Sequence, residues 1–126
     1  MKTKFLLTIL SLAVAATSLR AEIFACDLKA LTPEERKTHQ KLSMGLGSAI
    51  TARQELSDGY TFQIDSVKLP FVDIAQWIAF EHRCCRFLLF RLELQGAEGN
   101  VSLSLRGAPG VKKFIETEFR FSEPRQ

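Results

Sequence analysis

Three stretches of the chain alternate between apolar and polar residues, a period of two that is typical of strands with one buried face. They are residues 60–64, 88–94 and 101–105. Turn-forming residues at 57–59 precede the first stretch, and the segment 96–100 separates the other two in the manner of a hairpin loop. The pattern predicts one strand followed, later in the chain, by a β-hairpin.

Start and stop signals predict three helices around these strands. Thr32-Pro33-Glu34-Glu35 combines an N-cap residue, a proline suited to the first helical position and a carboxylate placed for a capping box. A helix is expected from here to about Ala52. Pro70 begins a second helix, and the break Gly107-Ala108-Pro109-Gly110 precedes a last helix from Val111 to about Phe119.

The first two helices have distinct apolar patterns. The apolar stripe of the first is His39, Leu42, Leu46, Ala49 and Ile50. The second has Phe71, Ile74, Ala75, Ile78 and Cys85 on one side, and Trp77, Phe80, Glu81 and Cys84 on another. A helix that is apolar on two sides is usually buried between other elements. The predicted fold is a two-layer α+β domain of order α-β-α-β-β-α, with a small, mostly antiparallel sheet and helices on one face.

The N-terminal segment has the layout of a secretory signal peptide. Lys2 and Lys4 precede an apolar run over residues 5–16, and Leu19-Arg20-Ala21 resembles a cleavage site. The run is short for a membrane-spanning helix, which needs about 20 residues. We therefore expect a signal peptide over 1–21, one domain over 22–126, a periplasmic or secreted protein, and no stable membrane insertion after cleavage.

Cleavage changes the charge of the protein. The full chain has 17 Lys and Arg against 14 Asp and Glu, and the expected signal removes three of the basic residues. The exported chain is then close to neutral, so its charge gives no reason to expect nucleic-acid binding.

The three cysteines are the candidate chemistry of the chain. Cys84 and Cys85 are adjacent, and Cys26 lies far from them in sequence. An exported protein meets an oxidising compartment, where disulfides persist. Adjacent cysteines seldom pair with each other, so a disulfide would join Cys26 to Cys84 or to Cys85 and leave one thiol free.

A shared ligand site is the other interpretation. Three thiolates suit a soft ion such as Cu(I), Hg(II) or As(III), or zinc with a fourth ligand. Glu81 stands three residues before Cys84 and four before Cys85, so one helical turn brings its carboxylate near both. His82 and His39 are further candidates for completing the site or moving a proton.

Two patches of the chain resemble a known group of proteins. They are CDLKALTPEER, residues 26–36, and FEHRCCRFLLFRLEL, residues 80–94, which is followed by LSLRGAPGVKKFI, residues 103–115. The chain resembles a family of small, uncharacterised bacterial proteins with a Glu-x-x-Cys-Cys-x-Phe signature, a following hairpin and a Gly-x-x-Gly-Val-Lys helix start. The resemblance implies a single domain and, because it includes all three cysteines, one shared site.

Three functional hypotheses follow. The first is an exported thiol protein that sequesters or carries a soft metal or metalloid ion (Cu, Hg, Zn or As), with Cys26, Cys84, Cys85 and Glu81 as the metal site. The second is a thiol-dependent enzyme that uses Glu81 with the cysteine pair for organometal cleavage or redox chemistry. The third is a non-catalytic interaction module stabilised by a disulfide of Cys26.

Overall fold

A computed structural model describes residues 24–97 and 99–119 of the 126-residue chain. The expected signal peptide over 1–21 lies outside these residues. In the part of the chain that the structure describes, no helix is both long enough and apolar enough to cross a membrane.

The described residues form three helices and four strands. In chain order they are α1 (Pro33–Ala49), β1 (Ile50–Leu56), β2 (Gly59–Ile64), α2 (Phe71–Cys84), β3 (Leu89–Gln95), β4 (Asn100–Arg106) and α3 (Val111–Glu118), with a short 3-10 helix (Leu28–Ala30) before α1. The predicted α+β class and order of elements are confirmed. The helix start is also as predicted, because the Thr32 hydroxyl accepts a hydrogen bond from the Glu35 N–H and the Glu35 carboxylate accepts one from the Thr32 N–H.

The sheet is antiparallel throughout, with the strand order β1-β2-β4-β3. β4 lies between β2 and β3, so those two strands run in the same direction without pairing. α2 makes the connection between them, which antiparallel neighbours joined by a hairpin would not need. The cysteine pair lies at the end of α2, where the short connection that leads into β3 begins.

The apolar face of the sheet supports the helices. The alternating residues of β2 (Tyr60, Phe62 and Ile64) and of β4 (Val101, Leu103 and Leu105) are buried, as the pattern predicted. Helix α1 buries Leu42, Leu46 and Ala49 from its predicted stripe.

Helix α2 is buried on one side only. Its buried residues are Ile74, Trp77, Phe80, Glu81 and Cys84. The expectation of a helix buried on two sides was wrong, because Phe71 and Ala75 are exposed and Ile78 is half-buried. The side of α2 that includes Phe71, Ala75 and Ile78 therefore contributes only Ile74 and Cys85 to the buried core.

Strand β1 is an addition to the prediction. The sequence suggested that the first helix continues to about Ala52, but it ends at Ala49 and the chain enters β1 at Ile50. β1 is an edge strand, and residues 51–55 are exposed on both of its faces. A strand without a buried face has no apolar alternation, so the pattern contained no signal for it.

Candidate thiol site

The segment before α1, residues 24–31 and called the N-terminal segment from here on, lies across the end of α2 and is held by polar contacts to α2 and α1. The N–H of Asp27 donates to the carbonyl of Cys84 at 2.9 Å. The Arg83 guanidinium donates to the carbonyl of Ala30 at 2.6 Å, and Arg36 donates to that of Leu31 at 3.1 Å. Three backbone positions within five residues of Cys26 are thus held by hydrogen bonds.

A disulfide joins Cys26 to Cys85, with the two Cα atoms 4.7 Å apart. Of the two pairings that the sequence allowed, the structure has this one. Cys85 is the C-cap residue of α2, and its N–H donates to the carbonyl of Glu81. Its sulfur is fully buried, whereas Cys26 is half-buried. Cys26 is therefore the sulfur of the pair that a ligand or another thiol reaches more readily.

Cys84 is the cysteine left over, and it is a buried free thiol. Burial raises the pKa of the Cys84 thiol above its usual value, and the nearby charge of Glu81 adds to the shift. Arg83 acts in the opposite direction but is the weaker influence. A buried thiol that resists ionisation is a poor nucleophile and a poor ligand.

Glu81 is the polar group of the site, and it is buried with only 4 % of its surface exposed. One carboxylate oxygen, Oε1, lies 2.8 Å from Nε2 of His39. The other, Oε2, lies 3.2 Å from Sγ of Cys85. A thiol at Cys85 could donate to this oxygen, whereas a disulfide sulfur has no proton to donate. Opening the disulfide therefore gives Oε2 a hydrogen-bond donor.

His39 comes from α1 and orients the carboxylate. Its ring stacks beside Trp77 at a centroid distance of 6.5 Å and meets the edge of Phe80 at 6.3 Å. Trp77 is itself fixed, since its indole N–H donates to the hydroxyl of Ser43 at 2.9 Å. The pair of helices thus holds His39 and Glu81 in one arrangement.

Three of the four predicted ligands come together. One donor atom each from Cys26, Glu81 and Cys85 lies within 4.8 Å of the others. Cys84 is not a member of this group. The donor set is two sulfurs and one carboxylate oxygen, which suits a soft ion once the sulfurs are thiolates.

The other charged candidates do not reach the sulfurs. Arg83 binds Glu35 through two guanidinium nitrogens, at 2.9 and 3.1 Å. This hydrogen bond lowers the pKa of Glu35 from 4.5 to about 2. Arg86 is exposed, and the ring of His82 packs against Phe90 on the outer side of the helix end. Glu81 and His39 are therefore the charged or titratable side chains in direct contact with the disulfide or with each other at this site.

A cavity of about 460 Å³ opens beside the disulfide. Its polar lining comes from Cys26, His39, Ser43, Glu81 and Glu118, and its apolar lining from Phe24, Ala25, Leu28, Phe114 and Phe119. Pockets of roughly 300–1,000 Å³ with an apolar lining and a few convergent polar groups are typical small-molecule sites. A larger cavity of about 560 Å³ lies next to it and shares Leu28, His39 and Ser43.

Comparison with family models, with curated proteins and with solved structures finds no match to this chain. The resemblance to the Glu-x-x-Cys-Cys-x-Phe family consequently stays a prediction.

Sequence reasoning missed two features of the site. The pairing of His39 with Glu81 depends on the packing of α1 against α2, although both residues had been noted separately. Phe24 and Phe114 line the same cavity but are far apart in the sequence, so no local pattern brings them together. The sequence contained one signal that His39 faces the interior: its position on the apolar stripe of α1.

Proposed function

We propose that the reduced protein binds a soft metal or metalloid ion through the thiolates of Cys26 and Cys85, with Glu81 as the oxygen donor, and so sequesters or carries that ion outside the cytoplasm. The observation that supports the proposal is the convergence of these three donors, of which Cys26 and Glu81 line the cavity while Cys85 lies buried behind them. Cys84 is left out of the ligand set, which revises the hypothesis of a three-cysteine site.

While Cys26 and Cys85 are joined in the disulfide, they have no thiolates with which to bind an ion. A dithiol reductant would transfer two electrons and two protons to the Cys26–Cys85 bond and leave two thiols. The hydrogen bonds that Asp27 and Arg83 donate do not involve sulfur, so they keep the N-terminal segment on α2 after reduction. The two thiols are therefore held near each other, which lowers the entropic cost of chelation.

The geometry leaves room for an ion. Two thiolates bound at about 2.3 Å in a tetrahedral arrangement have sulfurs roughly 3.8 Å apart. With Cα atoms 4.7 Å apart, rotation of the two cysteine side chains is enough to bring the sulfurs to that separation. The bond from His39 orients the Glu81 carboxylate in the way that outer groups orient metal ligands.

A binding titration tests the proposal. Protein reduced and freed of reductant is titrated with arsenite, and the bound ion is counted by native mass spectrometry. We expect one ion per chain for the wild type and for Cys84→Ala. Cys26→Ala and Cys85→Ala should lose stoichiometric binding, and Glu81→Gln should weaken it by roughly 10- to 100-fold. Equal loss in Cys84→Ala and Cys26→Ala, or uptake that survives replacement of both Cys26 and Cys85, would refute the two-sulfur site.

A structural bridge with no ligand is a second candidate, and the disulfide itself favours it. The bond closes a loop of 59 positions and joins the N-terminal segment to the core. For this candidate, reduction lowers stability while arsenite, Hg(II) and Zn(II) all fail to bind the reduced protein.

A further inference from the structure

One part of the wall of the cavity beside the disulfide is aromatic, and another part carries a cysteine sulfur and a carboxylate. Cys26 and Glu81 contribute to its wall together with Phe24, Phe114 and Phe119. A bare ion held by two sulfurs and a carboxylate needs none of this space. The cavity therefore has room for something attached to the ion.

The aromatic part of the wall is built from packed rings. Phe24 contacts Phe87 with ring centroids 4.9 Å apart, and Phe87 meets Phe114 edge-on at 4.8 Å. Phe114 in turn meets Phe119 at 6.0 Å. Rings held in this way keep their orientation and present apolar surface to the cavity at a small entropic cost.

Gly110 allows Phe24 to take its place in this wall. A Cβ atom at position 110 would lie 3.0 Å from the Phe24 ring, which is tighter than ordinary contact. The residue also has a φ of 97°, a conformation that favours glycine. The glycine at the start of α3 thus lets the N-terminal segment cover the edge of the cavity.

We propose that the ligand of this site is an organic derivative of a soft element: a thiophilic centre, such as trivalent arsenic, that carries one aryl group. The inference rests on the function proposed above. Cys26 and Cys85 bind the thiophilic centre, and the aryl group lies against Phe24 and Phe114. A cavity of about 150 Å³ lined by apolar side chains is large enough for benzene, so about 460 Å³ accommodates a phenyl group beside the sulfurs.

The binding step balances without a change of oxidation state at the ligand. An aryl arsenic(III) oxide reacts with the two thiols of Cys26 and Cys85 to form two As–S bonds. The two S–H bonds and the arsenic–oxygen bond break, and the oxygen leaves as water with both protons. Arsenic stays trivalent, and its bond to the aryl carbon is kept.

The experiment compares phenylarsine oxide with arsenite on the reduced full-length exported chain. Affinities are measured by competition with dithiothreitol, in wild type and in Phe114→Ala. The quantity compared is the affinity for phenylarsine oxide divided by the affinity for arsenite. Both cysteines are present in the wild type and in Phe114→Ala, so a change in this ratio between the two proteins reports the contact with the aryl group. Burial of an aryl group in an apolar site favours binding by roughly one to two orders of magnitude, and loss of one wall ring should reduce the ratio by about 3- to 10-fold.

The matched control is Phe71→Ala, because Phe71 lies at the start of α2 and does not line the cavity. It should leave the ratio unchanged. Phe24→Ala is a second test, because Phe24 lines the cavity but lies outside the helices and strands. We expect it to lower the ratio as Phe114→Ala does.

The outcomes separate the two proposals. Binding of both ligands with a ratio that neither Phe114→Ala nor Phe24→Ala changes would overturn the aryl subsite and leave the dithiol site standing. Failure of arsenite and phenylarsine oxide to bind the reduced wild type would overturn the proposed function itself. Selective weakening of phenylarsine oxide in both variants, with arsenite unaffected, is the expected result.

Discussion

Opening the Cys26–Cys85 disulfide should destabilise the protein by an amount that follows from the length of its loop. The two residues are 59 positions apart. The loss of chain entropy in the unfolded state for a loop of this length corresponds to about 4 kcal/mol at 25 °C. Reduction also gives Cys85 a proton to donate to Glu81, and one net hydrogen bond returns about 1 kcal/mol. The expected difference between the oxidised and reduced proteins is therefore about 3 kcal/mol.

Urea unfolding with and without reductant measures this difference. Trp77 is the one tryptophan of the chain and is fully buried, so its fluorescence reports loss of the core directly. The slope of the unfolding free energy against urea concentration should also be larger for the reduced protein, because a chain without the cross-link exposes more surface when it unfolds.

Two variants isolate the bond from other effects of the cysteines. Cys84→Ala removes a buried thiol from both redox forms, so the difference between the forms should stay near 3 kcal/mol. Cys26→Ala has no disulfide to open, so its stability should not respond to reductant. A wild-type difference below about 1 kcal/mol, or a difference that persists in Cys26→Ala, would refute the reasoning.

Two further predictions concern groups outside the thiol site. Tyr60, the one tyrosine of the chain, donates a hydrogen bond to Glu116, and this bond raises its pKa to about 12. Ultraviolet titration should show that value for the wild type and a pKa closer to 10 for Glu116→Gln; equal values would contradict the contact. Because the pKa of Glu35 is lowered to about 2 by Arg83, its ionised form stabilises the fold above pH 4.5, and that stability is lost as the pH falls towards 2. Unfolding free energies measured between pH 5 and pH 2 should fall less steeply in Glu35→Gln, and an unchanged slope would count against the ion pair.

Much of the fold could be predicted because its elements have one buried face. The alternation over β2 and β4 matches the buried face of the sheet, and the capping box of Thr32 and Glu35 is formed. β1 could not be predicted in this way, since an exposed edge strand is specified by pairing with β2 rather than by its own pattern. Tertiary packing also decides which side of α2 is buried. The sequence of α2 has apolar residues on two sides, but the sheet and α1 cover mainly one of them.

The site was predictable only as far as it is local. Glu81 and Cys85 are one helical turn apart, and their contact follows from that spacing. Which cysteine pairs with Cys26 depends on where α2 ends, because the C-cap position turns Cys85 towards the N-terminal segment. The bond from His39 to Glu81 depends on how α1 packs on α2, which no spacing within either helix specifies.

The number of sulfur atoms bound to the ion tests the central claim most directly. X-ray absorption spectroscopy at the arsenic edge, on the reduced wild type loaded with one equivalent of arsenite, counts them. We predict two sulfur neighbours and one lighter neighbour, with the same spectrum for Cys84→Ala, whereas Cys26→Ala should not retain the equivalent of arsenic. Three sulfurs in the wild type, falling to two in Cys84→Ala, would contradict the account and return Cys84 to the site.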